Sequence, residues 1–214
     1  MIKLNNLSIG YSGRSIKLPS ITGQFKRGSM TAILGTNGIG KSTFLKTLAG
    51  FLPPAGGELK FNTCKMPRIS YLPQRIRVNY RFPLSVFDVV AMGCWPVTGL
   101  LKKIDEQQNS VILESLRCVK LDRILQKDIS VLSAGQFQCM LFARLLVQQS
   151  SLILLDEPFN SIDCQTCDLM LSVIDQLHYR GSTIIIVLHN SNIVTEYFSD
   201  TLLLSNSVHV WEHI

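Results

Sequence analysis

Residues 35–43 read G-T-N-G-I-G-K-S-T, and their reading decides the fold. Gly35, Gly40, Lys41 and Ser42 satisfy the spacing G-x-x-x-x-G-K-[ST] of a phosphate-binding loop. Gly35, Gly38 and Gly40 allow positive φ and a close approach of backbone to ligand. The N–H groups of Thr36, Asn37, Gly38, Ile39 and Gly40 then converge on phosphate oxygens. The helix that follows adds its partial positive charge at Thr43 and beyond. Lys41 reaches the terminal phosphates, and the Ser42 hydroxyl is a ligand for Mg²⁺. The flanks agree: Thr31 to Leu34 is a short apolar strand, and Ser42 to Ala49 places Phe44, Leu45, Leu48 and Ala49 on one helical face. That helix stops at Gly50, and Pro53 and Pro54 prevent its continuation. A bare glycine-rich turn would not need strand, loop, Lys-Ser pair and helix in register. The stretch predicts binding of ATP with Mg²⁺.

A second stretch, Ser151 to Pro158, reads S-L-I-L-L-D-E-P. Its apolar run delivers Asp156 and Glu157 to the carboxyl end of a strand, the edge where open α/β sheets bind ligands. Asp156 is expected to hold Mg²⁺, and Glu157 to orient and deprotonate an attacking water. Adjacent acids repel unless a cation lies nearby; the alternative is a pair of solvated turn acids. The run I-I-I-V-L-H ends at His189, which sets a titratable donor on the same edge, in reach of a γ-phosphate.

Outward from these motifs, Ile2 to Ile9 and Ile69 to Leu72 read as strands. From about residue 75 to 150 the pattern is helical, with Ser85 to Met92, Gln107 to Val119 and Ala134 to Gln148. Strands return at Leu152 to Leu155, Thr183 to Leu188 and Thr201 to Leu204, with a helix over Cys164 to His178. The expected architecture is α/β: one domain over 1–214, a doubly wound core of mostly parallel strands with a helical insertion at about 75–150.

The chain has 214 residues, 46% of them hydrophobic, and a formal net charge of +6. Its mean hydropathy is +0.23, yet no apolar run reaches the roughly 18–20 residues that cross a bilayer, and the start, MIKLNNLSIGY, shows no leader pattern. A cytosolic protein with some apolar surface given to a partner is expected. The basic charge fits a nucleotide ligand, nucleic acid, an anionic membrane surface or a solvated face, with Arg75, Arg77 and Arg81 its densest run. The six cysteines read as free thiols. Cys164 and Cys167 form a C-x-x-C, a redox or metal pair or a structural coincidence; His209, Glu212 and His213 are either a metal set or surface residues.

Val131 to Gln136 reads V-L-S-A-G-Q and opens a helix. Ser133 is a good N-cap, and the helix start offers N–H groups to an anion. One nucleotide is already wrapped by residues 35–43, so this second anion site is spare in its own chain. Either it is a plain cap, or a two-fold dimer forms in which each copy caps the other's ATP.

L-S-A-G-Q resembles the signature L-S-G-G-Q of ABC ATPases, and the other motifs of that family occur in order. The resemblance covers almost the whole chain. It implies the ABC ATPase fold: a P-loop NTPase core, N-terminal antiparallel strands and the helical insertion. It implies that Tyr11 stacks on adenine, and that Ser133, Gly135 and Gln136 contact the nucleotide of a second copy. It also implies that Asp163 lies in the loop crossing the dimer. Gln74, in Y-L-P-Q, matches the glutamine that senses Mg²⁺ and water and couples to the transport subunit, and His189 matches the switch histidine. Ala134, Thr36 and Asn190 depart from the common pattern; the Ala134 methyl suits a helix start, and the resemblance implies that it either crowds the partner's phosphate or is accommodated there. Y-L-P-Q-R, F-P-L-S-V-F-D-V-V-A-M-G, G-Q-F-Q and L-F-A-R-L-L are similar to the ATPases of zinc, manganese and iron(II) importers, zinc closest.

From that resemblance follow an integral-membrane permease as partner, a metal-binding solute protein upstream of it, and a peripheral place on the cytoplasmic face of the inner membrane. Residues 75–99, with Phe82, Phe87 and Trp95, are the expected docking face, and no appended domain is expected after the last strand. No nucleic-acid partner is expected, because the 115 residues from Lys41 to Asp156 hold no coiled-coil arm. A non-transport ABC ATPase acting on DNA or ribosomes, or a small-molecule kinase, are the competing classes.

Overall fold

The chain was analysed as a computed structural model that describes residues 2–11, 14–15, 18–62, 67–74, 82–99, 103–189 and 191–213. In chain order the strands are β1 (Ile2–Ser8), β2 (Gly10–Tyr11), β3 (Arg14–Ser15), β4 (Ile21–Phe25), β5 (Met30–Leu34), β6 (Gly56–Phe61), β7 (Ile69–Leu72), β8 (Leu152–Asp156), β9 (Thr183–Val187), β10 (Asp200–Leu203) and β11 (Val210–His213). The helices are α1 (Lys41–Leu48), α2 (Val86–Ala91), α3 (Trp95–Thr98), α4 (Glu106–Cys118), α5 (Ala134–Val147), α6 (Cys164–Tyr179) and α7 (Ser191–Tyr197).

The residues group into two compact units. The first comprises 1–74, 150–158 and 178–214. Its larger sheet has the order β11-β10-β5-β9-β8-β7. Every pairing from β10 to β7 is parallel, and β11 joins antiparallel. All five residues of β8 and of β9 are buried, which is why these strands read as unbroken apolar runs. Alternation by strand sends Ile33, Leu154, Ile185, Val187 and Leu202 into one core cluster with Phe44, Leu45 and Leu48 of α1. A second sheet, β4-β1-β6, is antiparallel and adds Ile2, Leu4, Leu7 and Phe25 to that cluster. Phe25 stands edge-on to Trp211 of β11 at 5.0 Å and lies 6.3 Å from Phe44. Burying each such ring contributes about 2–3 kcal/mol. The fold class is therefore the α/β, mostly parallel architecture with antiparallel N-terminal strands.

The second unit comprises 75–149 and 159–177. It contains the residues of the expected insertion and also most of α6, which sequence order alone assigned to the strand core. Here α5 is the spine, with α2 and α4 packed on it. Among the described residues three capping boxes set helix starts: Ser85 with Asp88 opens α2, Asp105 with Gln108 opens α4, and Ser133 with Gln136 opens α5. At the turn Met92–Cys94, Gly93 lies so close to α5 that a Cβ would stand 2.4 Å from the Arg144 carbonyl. Among the described residues no helix is long and apolar enough to cross a membrane.

Candidate functional site

Four adjacent parallel strands, β5, β9, β8 and β7, end at the same edge of the sheet. Register aligns them: Ile33 pairs with Val187 and Val187 with Asp156, while Leu72 pairs with Leu155. Two residues beyond each rung come Gly35, His189 and Gln74, and Glu157 directly follows Asp156. Parallel pairing is what brings residues 35, 74, 156, 157 and 189 together, as such sheets require for a ligand crevice.

The glycine loop has the backbone its composition predicts. Gly35, Gly38 and Gly40 have φ of 148°, 79° and 114°. A Cβ on Gly35 would lie 2.7 Å from the Leu204 carbonyl oxygen, while one on Gly38 would meet nothing. Gly38 is therefore glycine for its backbone, and Gly35 for its backbone and its neighbour. Residues 36–38 are exposed, whereas Ile39 is buried and anchors the loop. Gly40 precedes α1 with no side-chain cap.

Lys41 is 5% exposed. Its ammonium donates to the Gly35 carbonyl at 2.8 Å and the Thr36 carbonyl at 3.0 Å. Burial lowers its pKa, opposed by the charges of Glu157 and Asp156. Ser42 Oγ donates to Asp156 Oδ1 at 3.1 Å. Asp156 is 2% exposed, and burial pushes its carboxyl above the usual range, with Glu157 adding to the effect. Hydrogen bonds from Ser42, Tyr71 and the Gln74 backbone pull the other way. A hard cation takes oxygen ligands, and Mg²⁺ uses one or two protein oxygens plus phosphates and water. The Ser42–Asp156 pair fits that donor set. Among the described residues no three His, Cys, Asp or Glu side chains gather as a dedicated metal cage.

Glu157 has φ of 51°, a left-handed conformation uncommon for its type. Its N–H donates to the Val187 carbonyl at 3.2 Å, which ties the turn to β9. Gln74 Nε2 donates to Glu157 Oε2, and His189 Nε2 shares a hydrogen bond with Glu157 Oε1. The Glu157 side chain is 9% exposed and that of His189 37%. The carboxylate is thus held between an amide and an imidazole at the solvent edge.

In the helical unit, Ser133 caps α5. Its Oγ accepts from the Gln136 N–H, and Gln136 Oε1 accepts from the Ser133 N–H, both at 3.2 Å. Gln136, expected to meet nucleotide, serves the cap here. Gly135 is buried against α6: an added Cβ would lie 3.1 Å from Thr166 Oγ1 and 3.3 Å from Asp163 Oδ2. Asp163 accepts from the Thr166 N–H and hydroxyl at 2.9 and 2.8 Å, bonds that hold its carboxyl below the usual range. Tyr11 pairs through its backbone with Arg14; the side chain on which adenine stacking depends, the three arginines 75, 77 and 81, and Asn190 lie outside the described residues. Tyr71 was not legible in sequence: its hydroxyl donates to Asp156 Oδ2 at 3.3 Å, a role visible only once β7 lies beside β8. His209 and His213 have separate partners, the Pro19 carbonyl and Asp200.

A family model described as ABC transporter matches residues 18–160. The chain belongs to the ABC transporter family. It is an ATPase of that family, with hydrolysis coupled to transport. This ABC ATPase is 34% identical over 211 residues to the manganese transport system ATP-binding protein MntB of Listeria monocytogenes, covering 97% of this chain and 88% of that one. It is 35% identical over 208 residues to the zinc transport system ATP-binding protein TroB of Treponema pallidum, covering 95% and 78%. Among solved structures it superposes with TM-score 0.87 and 28% identity on a chain of an inward-facing ABC transporter described as of metal-chelate type, covering 99% and 82%.

Proposed function

We propose that this ABC ATPase forms a single nucleotide-binding domain that binds and hydrolyses MgATP to drive import of a divalent metal ion through a separate membrane subunit. The observation that carries the ATPase chemistry is the meeting of Ser42 with Asp156 beside Lys41, with Glu157 held between Gln74 and His189. In this reading residues 35–43 wrap the phosphates, and Tyr11 takes the adenine. Lys41 leaves the Gly35 and Thr36 carbonyls for phosphate oxygens. Ser42, Asp156 and Gln74 hold Mg²⁺, which when bound neutralises charge on the terminal phosphates. Glu157 accepts a proton from the attacking water, and His189 turns its imidazole to the γ-phosphate.

A second copy completes the site through Ser133, Gly135 and Gln136, with Asp163 at the junction between copies. The spare helix start of α5 supports this reading. Phe82, Trp95 and Val97, exposed at 63%, 45% and 58%, support a permease-docking face on the helical unit, which would seat the chain on the cytoplasmic side of the membrane. A metal-binding solute protein would deliver cargo on the other side. The metal rests on the relatives, whose names divide between manganese and zinc; the sequence resemblance leans to zinc.

The test is uptake of labelled zinc and manganese by vesicles carrying the chain with its membrane subunit. ATP-dependent uptake of either ion, abolished by Glu157→Gln with ATP binding retained, is expected. Turnover in that variant should fall about 10²–10⁴-fold. Unimpaired turnover would remove Glu157 from its role. Active ATPase without uptake of either metal would overturn the cargo.

A further inference from the structure

Cys164 and Cys167 occupy the first turn of α6 and carry free thiols, and no step of ATP turnover uses them. Cys164 is exposed and Cys167 half-buried. Residues three apart on a helix hold their Cβ atoms about 5–6 Å apart, whereas a disulfide needs about 3.5–4.5 Å. Closing that gap requires the first turn of α6 to tighten against the hydrogen bonds that the Thr166 and Cys167 N–H groups make to Asp163. We propose that Cys164 and Cys167 form a reversible dithiol–disulfide site that reports thiol redox state to the Ser133–Gln136 segment.

The roles of the two thiols follow from their surroundings. Cys164 is exposed and so open to attack by a disulfide in solution. Burial, with the charges of Asp168 and Cys164, pushes the Cys167 thiol up, which makes it the less ready first attacker. With glutathione disulfide as oxidant, the Cys164 thiolate attacks one sulfur and releases one glutathione thiol, leaving a mixed disulfide. The Cys167 thiolate then attacks Cys164 Sγ and releases the second glutathione. Two protein thiols lose two electrons and two protons, and glutathione disulfide becomes two thiols.

The consequence reaches beyond the pair. Closing the turn pulls on the Cys167 N–H bond to the Asp163 carbonyl, 3.0 Å, and on the Thr166 N–H bond to Asp163 Oδ1. Asp163 and Thr166 are the groups packed on Gly135, so the strain is delivered to the capped start of α5. The thiol chemistry is independent of the transport reading, while its effect on turnover rests on that reading.

The test equilibrates the purified chain in glutathione buffers from reducing to oxidising, traps free thiols by alkylation and maps peptides by mass. A peptide joining Cys164 to Cys167, two hydrogens lighter and resistant to alkylation, is expected, restored by dithiothreitol. Cys167→Ser should instead accumulate glutathione on Cys164. If both thiols stay alkylatable in the most oxidising buffer, or if Cys164 in the unsubstituted chain only retains glutathione, the site is refuted. ATP turnover of the oxidised chain is expected to fall severalfold and to recover on reduction, with Cys164→Ser/Cys167→Ser insensitive. Equal turnover in both forms would overturn the link to α5. A reduced chain without ATPase activity would count against the transport motor and leave the thiol result standing.

Discussion

Single residues in this chain take their chemistry from where they are buried. Asp156 and Glu157 are neighbours in sequence, yet one is nearly inaccessible and touched by Ser42 and Tyr71, while the other turns to the solvent edge between Gln74 and His189. Glu157 adopts a left-handed backbone. Strain of order 1–3 kcal/mol at such a position is offset by the surrounding structure. The thiols show the same dependence. Burial, with the charge of Asp163 added, pushes Cys139 up to about 11. A thiol whose pKa is raised stays protonated below that value, so thiolate forms only as the pH climbs toward it. At pH 8, Cys164 is expected to react with iodoacetamide within minutes and Cys139 to remain unmodified until the fold is opened by denaturant. Labelling of Cys139 at a rate matching Cys164 in the native chain would show that its burial is wrong.

At the scale of elements, identical local signals serve different ends. Ser85 and Ser133 both open helices through a capping box. Replacing either by alanine removes an acceptor for a free helix N–H and should cost about 1 kcal/mol. Only Ser133 stands on the segment assigned to the second copy's nucleotide. Urea denaturation should therefore report similar losses for Ser85→Ala and Ser133→Ala, and steady-state ATPase assays should report a loss beyond stability only for Ser133→Ala. Equal activity of the two variants would reduce Ser133 to a cap. Gly93 shows an element boundary written by packing: the turn at Met92–Cys94 approaches the Arg144 carbonyl too closely for any side chain.

For the whole molecule, the arrangement that matters is one sheet edge carrying the phosphate loop, the two carboxylates, Gln74 and His189, with a second anion-ready helix start in the helical unit. In the proposed reading, that helix start completes the phosphate site of another copy, and such pairings close with two-fold symmetry. Glu157→Gln with MgATP is expected to shift the chain from monomer to dimer in analytical ultracentrifugation. The shift should be lost with Lys41→Ala, which removes the buried ammonium beside the phosphate loop. A strictly monomeric Glu157→Gln chain at saturating MgATP would refute the two-copy site.

Much of this was legible in residues alone. The loop at 35–43 declares its backbone through three glycines at fixed spacing, and all three have positive φ. The apolar runs at 152–155 and 183–188 declare buried parallel strands, because a strand covered on both faces has no polar side to alternate. Local composition is sufficient where the physics is local. Strand order is not local. That β9 lies between β5 and β8, that Tyr71 reaches Asp156, that Gln136 turns back to Ser133, and that α6 groups with the helical unit were decided only by tertiary structure. Each depends on which distant segments share a rung or a packing face, and that is set by burial of the whole chain rather than by any stretch of it.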